Sequence, residues 1–216
     1  FWEKIQRIFF IGIGGVSMSG LAYFLMQMGF SVSGSDITAT ALTARLEKEG
    51  AKIFIGHDAS NLRDAQAVIV NSAIPQANPE LCEARRRGIP VYGRAELLAL
   101  VASCFDNTVG IAGCHGKTTA TAMCAHILEE CSGSCSAHIG GEDFDYCNLY
   151  SGGDKFFVTE ACEYMGNFLH LRPDVAVILN TDADHLECYG DAEQLGTAYR
   201  TYARGAKAAI VCGEDK

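Results

Sequence analysis

Val109-Gly-Ile-Ala-Gly-Cys-His-Gly-Lys-Thr-Thr119 runs from a short apolar stretch through a glycine turn into the start of a helix. Glycine lets backbone N–H groups converge on phosphate oxygens where a side chain would block the approach. The lysine reaches the outer phosphates, and the threonine hydroxyl can hold Mg²⁺. The residues facing a triphosphate are then Gly113, Cys114, His115, Gly116, Lys117, Thr118 and Thr119. The strict pattern G-x-x-x-x-G-K-[ST] is not met, because Ile111 stands at its first glycine. The bland alternative is a strand-to-helix turn that binds nothing. The reading adopted is a triphosphate cradle, so the chain is expected to handle ATP.

The surrounding sequence predicts an α/β fold. Apolar strands at Arg7–Ile13, Phe30–Ser35, Lys52–Ile55, Ala67–Asn71 and Val91–Tyr92 alternate with helices near Ser17–Met28, Thr40–Glu49, Pro79–Arg87 and Arg94–Ser103. Such alternation implies a parallel sheet covered on both faces. Phe105-Asp106-Asn107 breaks the pattern, which places a boundary between a Rossmann-like domain, 1–105, and a P-loop domain, 106–216. The second half repeats the alternation: strand Thr108–Ala112, helix Lys117–Cys131, strands Phe156–Thr159 and Val175–Asn180, helix Ala192–Arg204, strand Ala208–Cys212. The polar, glycine-rich segment 132–155 yields no assignment. Because the sequence stops just after a strand, the second sheet is expected to be incomplete.

Composition narrows the partners. Among 216 residues, 26 acidic against 17 basic side chains give a formal net charge of −9. The long-range field of such a chain repels nucleic acid and anionic membrane, so phosphate must be gripped locally. No apolar run reaches membrane-spanning length. Ten cysteines are scattered without a C-x-x-C pair, which reads as reduced thiols in a cytoplasmic enzyme rather than a disulfide framework or a zinc site.

Near the start, Gly12-x-Gly14-Gly15-x-Ser17 resembles a dinucleotide fingerprint with serine at its third glycine. Asp36 lies 24 residues beyond Gly12, where a ribose-binding acid would sit. A dehydrogenase, a site for the diphosphate of another nucleotide, and an empty βα turn all fit. In the second half, Glu160 and Asp184-His185 follow strands on the rim that carries the phosphate loop. A carboxylate there can take Mg²⁺; an imidazole is a less usual ligand, and His185 reads equally as a packed or capping residue. Glu163 is either a supporting group or a surface carboxylate.

Taken in order, these residues resemble the Mur ligases. The resemblance rests on Gly12-Ile-Gly-Gly-Val-Ser-Met-Ser-Gly20, Gly34-Ser-Asp36, Asn71-Ser-Ala-Ile74, Asn78-Pro-Glu80 and Gly113-Cys-His-Gly-Lys-Thr-Thr119. It continues through Glu160-Ala-Cys-Glu163, Phe168-Leu-His-Leu171 and Asn180-x-x-x-Asp184-His185. Within the family, the opening turn and Phe-Leu-His-Leu are similar to the branch that adds L-alanine to UDP-N-acetylmuramate; a sister branch attaching a recycled peptide shares much of this set.

The resemblance implies a UDP-sugar domain, an ATPase domain and a carboxyl-terminal domain. This chain would hold the first, part of the second, and none of the third. It further implies that the first glycine turn, Gly12, Gly14, Gly15 and Ser17, holds the UDP diphosphate, helped by Asp36, His57, Ser72 and Arg94. Lys117 would contact ATP, Thr118 and Glu160 one Mg²⁺, and His185 a second. Two departures stand out: Cys114 replaces a usual threonine, and Ala198-Tyr-Arg200 lacks the carbamylated lysine of several sister ligases.

Overall fold

The computed structural model describes residues 4–143, 147–182 and 186–213. Asp184 and His185 lie outside the described residues, and so does the role expected of them. The chain divides into two units, Phe1–Leu97 and Leu98–Lys216. The division falls inside a helix, upstream of the Phe105-Asp106-Asn107 break.

The first unit begins with β1 (Arg7–Ile11), α1 (Val16–Gln27), β2 (Ser31–Asp36), α2 (Ala41–Lys48) and β3 (Lys52–Ile55). It continues through β4 (Ala67–Val70), α3 (Pro79–Arg86), β5 (Val91–Gly93) and the first residues of α4 (Arg94–Ala102). All strand pairs are parallel, in the order β3-β2-β1-β4-β5. The continuous apolar run of β1 follows from its central place, since Ile8, Phe9, Phe10 and Ile11 are all fully buried. Phe9, Ile11, Val68, Leu62, Leu81 and Ala84 form the core on one face of the sheet.

Local chemistry sets the helix starts. The Asn78 side chain accepts from the N–H groups of Glu80 and Leu81, and Pro79 occupies the first turn, as the sequence predicts. Thr40 and Thr43 cap α2 reciprocally, each hydroxyl accepting from the other's N–H. β1 is two residues shorter than expected because Gly12 turns the chain with φ of +79°.

The second unit carries β6 (Asn107–Ala112), α5 (Lys117–Ser132), β7 (Cys135–Asp143), β8 (Cys147–Ser151), β9 (Phe156–Glu160), β10 (Val175–Ile178), α6 (Leu186–Tyr189), α7 (Ala192–Arg204) and β11 (Ala208–Val211). Its sheet runs β11-β10-β6-β9-β7-β8, parallel throughout except for the antiparallel pair β7–β8. The segment left unassigned in the sequence is therefore mostly a hairpin. Ile111, Ala125, Cys135, Ala137, Ile139 and Val158 make the core between α5 and the sheet. Every cysteine whose side chain is described is a free thiol. Among the described residues, no helix is long and apolar enough to cross a membrane.

Candidate functional sites

In the first unit, β1, β2 and β4 deliver their carboxyl ends to one side of the sheet. The chain winds β1 to β3 in one direction and β4 to β5 in the other, so a crevice opens between β1 and β4. A cavity of about 620 Å³ lies there, walled by glycines of the Gly12–Gly15 turn, Asp36, His57 and several residues between Asn71 and Pro79, Ser72 not among them. Asp36 is committed to shaping it. One carboxylate oxygen accepts from the Gly14 N–H at 2.8 Å and the other from the Ile37 N–H at 2.8 Å. Residue 14 must be glycine, because a Cβ there would stand 2.9 Å from Asp36 Oδ2 and 3.0 Å from Thr43 Cγ2. The Gly14 amide is thus spent on Asp36 rather than left for a phosphate.

Positive charge reaches the start of α1 from Arg94, whose guanidinium donates to Ser17 Oγ at 3.2 Å. Helix N-terminus, hydroxyl and guanidinium together suit a diphosphate. Ser72 is exposed beside two cavity-wall residues, Asn71 and Ala73, but is not itself in the wall.

In the second unit, β6 and α5 are joined by the loop 113–116. Gly116 caps α5 with φ of +82°, and Gly113 takes φ of +137°, a region where side chains are strained. Thr118 and Thr119 are exposed at the head of a 16-residue helix. The Lys117 ammonium folds back into the loop. It donates to Gly113 O and sits 3.2 Å from both carboxylate oxygens of Glu163. Glu163 is buried, with side-chain exposure of 1%, so it is not the surface carboxylate that the sequence allowed. Tyr189 OH donates to the Glu163 main-chain oxygen, and burial next to Glu163 pushes the Tyr199 phenol up.

Asn180, beyond β10, bridges both main-chain groups of His115: Oδ1 accepts from its N–H and Nδ2 donates to its C=O, each at 3.0 Å. His115 contributes backbone to the loop, while its ring is exposed. Cys114 donates its thiol to Asp182 O at 2.8 Å. Glu160, at the end of β9, accepts from the Gly140 N–H at 2.7 Å.

The loop fits a nucleotide triphosphate: glycines at its bends, an ammonium inside it and a helix N-terminus with two exposed hydroxyls. Hydroxyl and carboxylate oxygens, Thr118 and Glu160, are the donors a hard cation takes. Among the described residues, no group of three or more His, Cys, Asp or Glu could hold a metal ion. Mg²⁺ bound through phosphates does not require such a group.

Two family models match in succession: the Mur ligase family, catalytic domain, over residues 7–106, and the Mur ligase middle domain over residues 111–216. The chain belongs to the Mur ligase family. UDP-N-acetylmuramate–L-alanine ligase of Acetivibrio thermocellus is 42% identical over 218 aligned residues, covering 99% of this chain and 46% of that protein. The enzyme of that name from Caldanaerobacter subterraneus is 44% identical over 93% of this chain and 44% of its own length. Among solved structures, UDP-N-acetylmuramate–alanine ligase from Thermotoga maritima superposes with a TM-score of 0.90 at 32% identity, covering 97% of this chain and 49% of that one. A Neisseria UDP-N-acetylmuramate:L-alanyl-gamma-D-glutamyl-meso-diaminopimelate ligase gives 0.88 at 27% identity, covering 98% of this chain and 72% of that one. The Mur ligase chain described here spans about half the length of the curated relatives it matches.

Glu80, Asn61, Ser35 and Asn180 were not singled out as site residues from sequence. A glutamate in a first helical turn is what the helix dipole favours, so Glu80 reads locally as a capping preference.

Proposed function

We propose that this chain is the UDP-sugar- and ATP-binding part of a cytoplasmic UDP-N-acetylmuramate–L-alanine ligase of peptidoglycan precursor synthesis. Residues 1–105 form the UDP-sugar domain and 106–216 the ATP domain; the changeover between the two family models, from 106 to 111, supports that boundary. The observation that carries the reading is 42% identity to an L-alanine ligase across 99% of the chain.

The reaction begins with the lactyl carboxylate of UDP-N-acetylmuramate attacking the γ-phosphorus of ATP, which gives an acyl phosphate and ADP. The amino group of L-alanine then displaces phosphate and forms the amide. A carboxylate is a weak nucleophile, so the barrier falls through positioning and charge neutralisation rather than covalent catalysis. Lys117 and the backbone amides of 113–119 other than that of His115, which Asn180 occupies, hold the phosphates. Thr118 and Glu160 would hold one Mg²⁺, and His185 a second; bound there, the metal neutralises charge on the transferred phosphoryl group. The Cys114 thiol is engaged with Asp182 O, which argues against a nucleophilic role. In the first unit, the cavity takes the uridine portion, while Ser17 and Arg94 at the start of α1 take the diphosphate.

Calorimetric titration of the chain tests this. UDP-N-acetylmuramate and a non-hydrolysable ATP analogue should each saturate, and NADH should not. Saturation by NADH with no response to the UDP-sugar would overturn the reading in favour of an oxidoreductase. With ATP and L-alanine supplied, the chain alone should release no amide product.

The peptide-attaching sister activity is the second reading. The structural likeness of 0.88 to the Neisseria enzyme favours it, but its 27% identity falls below the 32% of the Thermotoga L-alanine ligase.

A further inference from the structure

Beneath the cavity of the first unit lies a buried carboxylate with no part in the scheme above. Glu80, in the first turn of α3, has no solvent exposure. Ser35 Oγ donates to its Oε2 at 2.6 Å, and Asn61 Nδ2 donates to its Oε1 at 2.8 Å. The third partner is His57 Nδ1, 2.9 Å from Oε2 and 3.0 Å from Ser35 Oγ. Ser35 has a single hydroxyl proton, and it points at Glu80. Toward Nδ1, both Glu80 Oε2 and Ser35 Oγ therefore offer lone pairs. A bare Nδ1 would set three lone pairs against one another, whereas an Nδ1 proton satisfies the whole cluster.

His57 is also a wall residue of the cavity. With Nδ1 committed downward, Nε2 is the nitrogen left for a ligand. We propose that Glu80 is a positioning residue that fixes His57 in its Nδ1–H tautomer, so that Nε2 presents a lone pair to a hydroxyl or N–H donor of the bound nucleoside. His57 then discriminates at the uridine part rather than gripping the diphosphate, which is the work of Arg94 and the α1 terminus. A ligand lacking that donor leaves a buried acceptor unpaired and is disfavoured for that reason. The assignment of a nucleoside as occupant rests on the proposed UDP-sugar reading; the tautomer does not.

Two measurements separate those parts. Nitrogen-15 NMR of the ring-labelled chain at pH 8 should show a protonated Nδ1 and an unprotonated Nε2 for His57, assigned by loss of the signals in His57→Phe. An Nε2–H tautomer or a doubly protonated ring overturns the proposal, whatever the cavity binds. In Glu80→Gln, the glutamine oxygen pairs with Asn61 and its NH₂ group turns to Nδ1, so the tautomer should invert. UDP-N-acetylmuramate affinity should then fall at least tenfold, with affinity for the ATP analogue unchanged. An affinity loss without tautomer inversion would mark Glu80 as merely structural and sink the idea. Should Glu80→Gln fail to fold, the wild-type spectrum alone decides. Failure of UDP-N-acetylmuramate to bind a chain with the expected tautomer would instead condemn the ligand assignment.

Discussion

Lys117 Nζ stands 3.2 Å from each carboxylate oxygen of Glu163, within a loop built for a more highly charged partner. Glu163 is nearly inaccessible and Lys117 has side-chain exposure of 15%, so the pair is scarcely screened by water. Before a nucleotide arrives, Glu163 neutralises the ammonium and keeps it aimed into the loop. Truncating Lys117 to alanine takes the ammonium away from a buried carboxylate, a loss of about 3 kcal/mol. Lys117→Ala should therefore lower stability by that order in chemical denaturation and weaken the ATP analogue at least tenfold. Adding Glu163→Gln should restore much of the stability but none of the affinity. Restoration of both would show that the ammonium does not touch phosphate.

Gly14 tests the other site. Its absent side chain makes room for Asp36 and Thr43, so Gly14→Ala must push the Asp36 carboxylate off the turn amide. UDP-N-acetylmuramate binding should drop at least tenfold, while binding of the ATP analogue is unaffected. Equal loss of both ligands would point to global unfolding rather than a local collision.

Tyr202 offers a gain of stability. Its hydroxyl is buried with no hydrogen-bond partner among the described residues, and it lies against Gly110, where a Cβ would meet the oxygen at 2.1 Å. Removing a buried unsatisfied hydroxyl while keeping the ring, stacked on Phe168 with centroids 5.0 Å apart, should stabilise by about 1 kcal/mol. Tyr202→Phe should melt a few degrees higher, and Gly110→Ala should melt lower even when combined with it, because the added Cβ would also meet Leu171 Cδ2 at 2.9 Å. A lower melting point for Tyr202→Phe would mean that the hydroxyl has a bonding role after all.

Acid stability should depend on Asp174. The Lys207 ammonium, with the Thr108 N–H and hydroxyl at 2.7 and 2.9 Å, holds its carboxyl below the usual range. A depressed folded-state value means the stabilisation is complete above the unfolded value of about 4 and vanishes as pH drops through the folded one. Urea midpoints of the wild type should fall through that window. Asp174→Asn should start lower at pH 7 and decline less steeply, and parallel acid limbs would refute the assignment.

Cys135 should resist alkylation. Burial, with Cys124 and Glu129 nearby, pushes its thiol up to about 12, while Cys82, Cys104, Cys131 and Cys212 are exposed. Iodoacetamide at pH 8 should label the exposed thiols and spare Cys135 until denaturant is added; early modification of Cys135 would contradict the packing of β7.

Much of the fold was legible because buried parallel strands write themselves as apolar runs between glycine turns, as Ile8–Ile11 and Val109–Ala112 do. The β7–β8 hairpin was not. Residues 135–139 of β7 are buried on both faces, and two of those residues are polar, so neither an apolar run nor an alternation marks it. Ser136 donates to Gly153 O, and His138 pairs with Thr159 Oγ1, which makes those polar residues tolerable inside. The phosphate loop could be read from its glycines and lysine, which act through local geometry. Glu163 and Glu80 act through partners 46 and 23 residues away, and only the tertiary structure brings those together.

The double bridge from Asn180 to His115 has a kinetic corollary. With both peptide groups of that residue already occupied, the cradle is a finished mould before any triphosphate approaches. Capture should then be governed by diffusion and charge rather than by a slow search for the right loop shape. Asn180→Ala would convert a fast encounter into a hesitant one, visible as a reduced association rate with little change in the fold of the strands beneath.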